Sequence, residues 1–213
     1  VNPPTTPPVQ PPPRLGDARA NPPAAIPAAV VRGFPAAQLA DVERAWEPAR
    51  DALAVAARAA GVALEHAHWL WTRKDASTRA GDHLLVAVEA AGAVQGLMAV
   101  TTALRPSRLE PGRWALYVDS VESAPWNLTV RGVQAKRYEG VGCLLLGEAV
   151  RPSVGRAAGG RVGLHSPPQT EGFYEAKCRM TRLGPDPGYH DPVYFEYDAG
   201  AAADWLTDVG LSA

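Results

Sequence analysis

Two glycines, Gly140 and Gly142, stand in RYEGVG (137–142) directly ahead of the apolar run CLLLGEA, so a buried helix is expected to begin on backbone without side chains. A helix N-terminus presents unpaired N–H groups and the positive end of its dipole, and anionic oxygens bind there when they can approach. Glycine clears that approach, and Arg137 adds a fixed charge and a fork of donors at the lip. The pattern reads as a pyrophosphate cradle. It is not a Walker loop, because no Gly-Lys-Ser/Thr follows, nor a dinucleotide GxGxxG loop, because a single GxG is present. Close packing of the helix against a strand is the competing explanation for the two glycines.

Other chemistry-bearing residues are sparse. His66 and His68 in EHAHW invite a metal site, yet two residues apart on a helix they diverge, and no third ligand has suitable spacing. No metal is expected. His165 ends the strand-like GRVGLH, where an acid–base role and a structural hydrogen bond both stay open. Trp69 and Trp71 face one way if extended, and core packing is the expectation. Cys143 and Cys178 lack metal-type spacing, which fits a reducing cytoplasm. With 21 basic and 22 acidic residues the net charge is -1, so nucleic acid is not expected as a partner. No apolar stretch approaches the ~20 residues of a membrane span, and the first residues do not resemble a signal peptide.

The elements that must position these residues follow from periodicity. Eleven of the 21 prolines fall in the first 35 residues, so 1–35 is expected to be an extended or disordered tail that neither pairs into a sheet nor forms a helix, with PxxP matches at 4–7 and 8–11. The folded domain is then 36–213. Leu39, Val42, Trp46, Leu53 and Ala60 recur at helical steps over 37–60, with Pro48 predicted to kink or split the helix and Gly61 to close it. HLLVAVEA and VQGLMAVTTA read as a hairpin. RWALYVDSVE (113–122) reads as a strand that sends Leu116, Val118, Ser120 and Glu122 to one face and Tyr117, Asp119 and Val121 to the other. A strand in GRVGLHS, a helix over 168–180 and a last strand in PVYFEYDA complete the chain. The fold class expected is α+β, a mixed and mostly antiparallel central sheet flanked by helices on both faces.

RxxGxG opening an apolar helix, GRVGLH after it, and a helix containing FYEAKCRM resemble the GCN5-related N-acetyltransferase (GNAT) superfamily over about residues 37–206. The tetrapeptide APWN is similar to that of a bacterial subgroup. The resemblance implies an acyl-CoA N-acyltransferase fold and acetyl-CoA as co-substrate, its pyrophosphate held at Arg137, Tyr138, Glu139, Gly140, Val141 and Gly142. It implies that the strands ending near Glu122 and His165 splay apart to admit the pantetheine arm.

The family motif FYEKLGF is matched by Phe173, Tyr174 and Glu175, which makes Tyr174 the candidate acid for the departing thiolate. The asparagine that often precedes that helix is missing from HSPPQTEG, leaving Ser166 or Gln169 to meet the arm. The passage from strand to phosphate loop is longer than usual, with Pro125, Trp126 and Asn127 expected to shape an acceptor wall. Glu122 is the implied base, with Asp119 as its rival, and a backbone N–H of the central strand the implied oxyanion donor. The function so implied is direct N-acetyl transfer to a primary amine of a small molecule or peptide. The alternatives are an acyl-CoA-binding sensor without turnover and a nucleotide or polyphosphate module. An edge strand in the final segment offers pairing across a homodimer.

Overall fold

The computed structural model describes residues 11–22, 24–64, 69–77, 83–189 and 191–211. In chain order its strands are β1 (Arg14–Asp17), β2 (Ala24–Pro27), β3 (Ala29–Arg32), β4 (His83–Ala90), β5 (Ala93–Thr101), β6 (Arg105–Pro106), β7 (Trp114–Ser123), β8 (Tyr138–Glu139), β9 (Val162–Ser166), β10 (Thr181–Pro185) and β11 (Val193–Tyr197). The α-helices are α1 (Leu39–Ala59), α2 (Trp71–Ser77), α3 (Val141–Val154) and α4 (Ala199–Asp208).

The hairpin expected at HLLVAVEA forms as β4 and β5 and sits within the main sheet, whose order is β10-β11-β9-β7-β5-β4-β3, with β6 beside β7. Every pairing along that order is antiparallel except β7 with β9. Period-two alternation divides the hairpin between two cores. Val86, Val88 and Met98 pack with Leu144, Leu145, Ala149, Trp205 and Leu206, under α3 and α4. Ala87, Leu97 and Ala99 pack on the other face with Leu39, Val42, Trp46 and Trp71. The protein is an α+β fold with a mostly antiparallel sheet and helices on both faces.

The proline-rich segment departs from expectation. Of the stretch predicted to stay out of sheets, β1 pairs with β2, and β3 pairs with β4 at the sheet edge. Proline is tolerated because it falls at ends and edges: Pro13 precedes β1, and Pro27 closes β2 opposite Arg14. AAIP and AAVV between the prolines keep their donors, and Leu15 is fully buried in the main core. The PxxP match at 4–7, and all of the match at 8–11 except Pro11, lie outside the described residues.

Three further differences have local causes. Pro48 neither splits nor ends α1, because it lies on the exposed side of one continuous helix. The helix predicted over 168–180 is a short 3-10 turn, Pro168–Thr170, followed by a π-helix, Phe173–Lys177. The alternation predicted for the third strand breaks inside it: Val118 pairs with Val100 but Ser120 with Ala99, so Asp119 is an extra residue without a β5 partner. Leu116, Val118 and Val121 consequently face α3, while Glu122 turns to the α1 and α2 face. β10 and α4 were not anticipated from the sequence; α4 is capped by Asp198, whose side chain accepts the Ala201 N–H at 2.8 Å.

Candidate functional site

The bulge at Asp119 also ends the contact between β7 and β9. Their parallel pairing covers Leu116 to Val118 against Val162 to Leu164 and goes no further. Beyond it opens a cavity of about 990 Å³, lined by Asp119 to Ser123 on one side, His165, Thr170 and Tyr174 on the other, and the start of α3 above. The divergence predicted for the strands ending near Glu122 and His165 is present.

At the mouth of α3, Gly140 has φ +91°, a left-handed conformation that other residues rarely adopt, and no side chain caps the helix. The ladder of α3 opens with the Leu144 N–H, which donates to the Gly140 carbonyl at 2.9 Å, so the N–H groups of Val141, Gly142 and Cys143 precede it and stand at the cavity. Gly142 has a different job. A Cβ there would sit 2.9 Å from Phe173 Cζ, so this glycine permits close packing, but against the π-helix rather than against a strand. Arg137 does not line the cavity. Its guanidinium lies 5.1 Å from the Tyr138 ring centroid, while Lys136 lines the mouth and pairs with Glu139 at 3.1 Å.

The loop is fixed by groups whose role the sequence did not disclose. Asn127 Oδ1 accepts the buried Tyr138 N–H at 3.0 Å, and its amide donates to Gln95 Oε1 at 2.9 Å. Trp126 Nε1 donates to the same oxygen at 2.8 Å. The APWN segment therefore bolts the loop ahead of α3 to β5; of the residues expected to shape an acceptor wall, Asn127 lines the cavity and Pro125 and Trp126 do not. From the other side, β1 pairs Asp17 with Tyr138 and Gly16 with Glu139, and Ala18 N–H donates to the Arg137 carbonyl at 3.0 Å. Pro13, Arg14 and Gly16 line the cavity.

Glu122 is buried on the cavity floor. Arg50 Nη2 donates to its Oε1 at 3.1 Å and the Trp71 indole to its Oε2 at 2.6 Å. Burial raises its pKa, and the Arg50 charge, the Trp71 bond and Lys74 oppose the rise without cancelling it. Asp119 is exposed at the bulge and accepts from the Ser120 hydroxyl at 3.0 Å. Lys74 Nζ donates to Ser120 Oγ at 2.9 Å and stands 3.7 Å from the Trp69 ring centroid. Burial lowers the Lys74 pKa against the pull of Asp119 and Glu122.

On the opposite wall Tyr174 is buried in the π-helix, its ring edge-on to Phe173 at 5.2 Å, and burial raises its phenol pKa. Ser166 is fully buried and does not reach the cavity. Its hydroxyl bonds the Pro167 carbonyl at 2.9 Å and Thr170 Oγ1 at 3.0 Å, and Thr170 lines the cavity in its place. Gln169 also lines the cavity, and its amide donates to the Ala63 carbonyl at 2.6 Å. His165 has a hydrogen-bonded position: Nδ1 meets the Tyr117 hydroxyl at 2.8 Å and Nε2 meets Asp186 Oδ2 at 2.9 Å. Burial lowers its pKa, so at neutral pH the Tyr117 O–H donates to Nδ1 and Nε2–H donates to Asp186.

His66 and His68 lie outside the described residues. Among the described residues no three His, Cys, Asp or Glu side chains cluster, and no helix is long and apolar enough to cross a membrane.

No protein-family model matches the chain, and no curated protein matches it. Solved structures are similar to it at low identity. A PaiA N-acetyltransferase from Thermoplasma acidophilum in complex with coenzyme A is 15% identical, with a TM-score of 0.48 over 80% of this chain and 99% of that one. A histone acetyltransferase and related acetyltransferase from Corynebacterium glutamicum is 13% identical, with a TM-score of 0.45 over 79% and 94%. The KacTA complex with DNA is 11% identical, with a TM-score of 0.49 over 85% and 99%.

Proposed function

We propose that the chain transfers an acetyl group from acetyl-CoA to a primary amine. One observation carries the reading: the uncapped N-terminus of α3 and the Glu122 carboxylate open on the same cavity, where β7 and β9 part. Acetyl-CoA supplies an activated carbonyl and a thiolate leaving group.

The backbone N–H groups of Val141, Gly142 and Cys143 receive the pyrophosphate, with Tyr138, Glu139 and Gly140 setting the loop's shape and Arg137 adding charge outside it. Ser166 acts on the pantetheine arm through Thr170. Glu122 takes the proton of the acceptor ammonium, a task suited to a carboxylate whose pKa burial has raised, and Asp119 is its rival for that role. Tyr174 stays protonated because of its burial and donates to the departing sulfur. The extra residue at the bulge takes backbone out of the β5 ladder, which suits it to supply the oxyanion donor.

The second reading, an acyl-CoA-binding sensor without turnover, is favoured by one detail: both Glu122 oxygens are already held, by Arg50 and Trp71. Release of free CoA, followed with a panel of small amines and peptides, separates the two. Turnover on any member that falls in both Glu122→Gln and Tyr174→Phe supports catalysis, whereas unchanged rates in both variants sink these assignments.

A further inference from the structure

The ammonium of Lys74 sits against residues that form one wall of the cavity, although Lys74 does not itself line it. It projects from α2 onto β7 and touches Ser120 Oγ at 2.9 Å, beside the bulge at which the cavity begins. The Trp69 ring lies against it at 3.7 Å, a cation–π distance, and the Asp119 and Glu122 carboxylates both pull on its charge. Trp69, Asp119, Ser120 and Glu122 all line the cavity. An aromatic face and a hydroxyl in contact with one nitrogen, with two carboxylates acting on its charge, make a cage suited to a primary ammonium on an unbranched alkyl chain, and here the chain's own lysine fills it.

We propose that Lys74 is acetylated by its own molecule. This inference rests on the acetyl-CoA reading above and extends it to a specific acceptor. The ammonium of Lys74 first gives one proton to Glu122. The neutral nitrogen attacks the thioester carbonyl, forming the C–N bond, and the C–S bond breaks as the oxyanion collapses. The second proton leaves the nitrogen and the sulfur departs as a thiol, so the sum is ammonium plus thioester giving amide, free CoA and one proton. The partial burial that lowers the Lys74 pKa favours the neutral nucleophile. Acetylation removes the charge from the cage and leaves a neutral amide against Trp69. The modified molecule is then an enzyme whose amine site is occupied by a bound product.

The composition makes the test clean. Of 21 basic residues only three are lysines, Lys74, Lys136 and Lys177, and the other two line the opposite, phosphate side of the cavity. They serve as internal controls. The full chain is incubated with acetyl-CoA, and peptide mass spectrometry follows one acetyl mass at each lysine, with calorimetric titration of acetyl-CoA on the same preparation. The expected result is binding, with Lys74 modified at least about ten-fold faster than Lys136 or Lys177, as proximity predicts. That preference disappears when the chain is unfolded in urea. The fraction modified per unit time is independent of protein concentration, and the acetyl mass is lost in Lys74→Arg. Binding accompanied by equal or slower modification of Lys74, or a rate that rises with protein concentration, overturns the self-acetylation while leaving the acetyl-CoA reading intact. Absence of binding overturns both.

Discussion

The Trp71 indole N–H donates to Glu122 Oε2 at 2.6 Å, joining the first residue of α2 to the end of β7 across the cavity floor. The bond exists because Asp119 is an extra residue: without it Glu122 would face α3 with Val118. A carboxylate so placed is buried, paired with Arg50, and still raised in pKa.

Removing the indole donor removes one of the influences that hold this pKa down. In Trp71→Phe the Glu122 pKa rises further, and because a base acts when deprotonated, the acidic limb of the pH–rate profile moves to higher pH. Thermal or urea unfolding should show a loss of about 1–3 kcal/mol, the cost of a buried polar partner left unmade. A limb that stays in place would remove Glu122 as the titrating base.

Glu122→Gln should lower transfer by about two to four orders of magnitude while acetyl-CoA still binds. It should also change the pH dependence of stability. A carboxyl whose folded pKa lies above its unfolded value adds stability that is full below the unfolded pKa and is lost as pH rises through the folded one. The wild-type protein loses that contribution over this window, upward from the ordinary carboxylate range, and the glutamine variant does not. Urea melts across that range check it.

Asn127 ties the loop to β5, and its replacement by alanine strands the buried Tyr138 N–H. We expect about 1–3 kcal/mol less stability by urea melts. Acetyl-CoA affinity should fall about ten-fold, equivalent to about 1.4 kcal/mol. Unchanged affinity in a folded variant would show that the APWN segment does not position the loop.

Leu15 is fully buried in the core that contains α3. Leu15→Ala should cost about 2–5 kcal/mol in the same melts. A neutral result would restore the picture of residues 11–35 as a tail.

The sequence disclosed most where a pattern was local. Two Val- and Leu-rich runs separated by turn residues specified the β4–β5 hairpin, and RYEGVG specified the start of α3, because strand composition, a turn and a helix entry are written within a few residues. It failed where the deciding partner was distant. The prolines near Arg14 argued against pairing until β8 and β4 were there to receive the segments between them. No local signal marks the bulge at Asp119, since the extra residue is defined only against β5, and every face assignment after it reverses. Arg50 and Lys74 reach the site from helices far away in sequence. Gly142 was legible as a glycine that must be small, but its neighbour Phe173 comes from an element 31 positions on.

The N-terminus of α3 and the split between β7 and β9 together form the proposed acetyl-CoA site. Calorimetric titration of the wild-type chain with acetyl-CoA, desulfo-CoA and ATP tests it directly. Saturable binding of acetyl-CoA and desulfo-CoA is expected, with ATP at least about ten-fold weaker because it has no pantetheine arm to enter the split. ATP binding as tightly as acetyl-CoA, or no heat with either coenzyme, would contradict it.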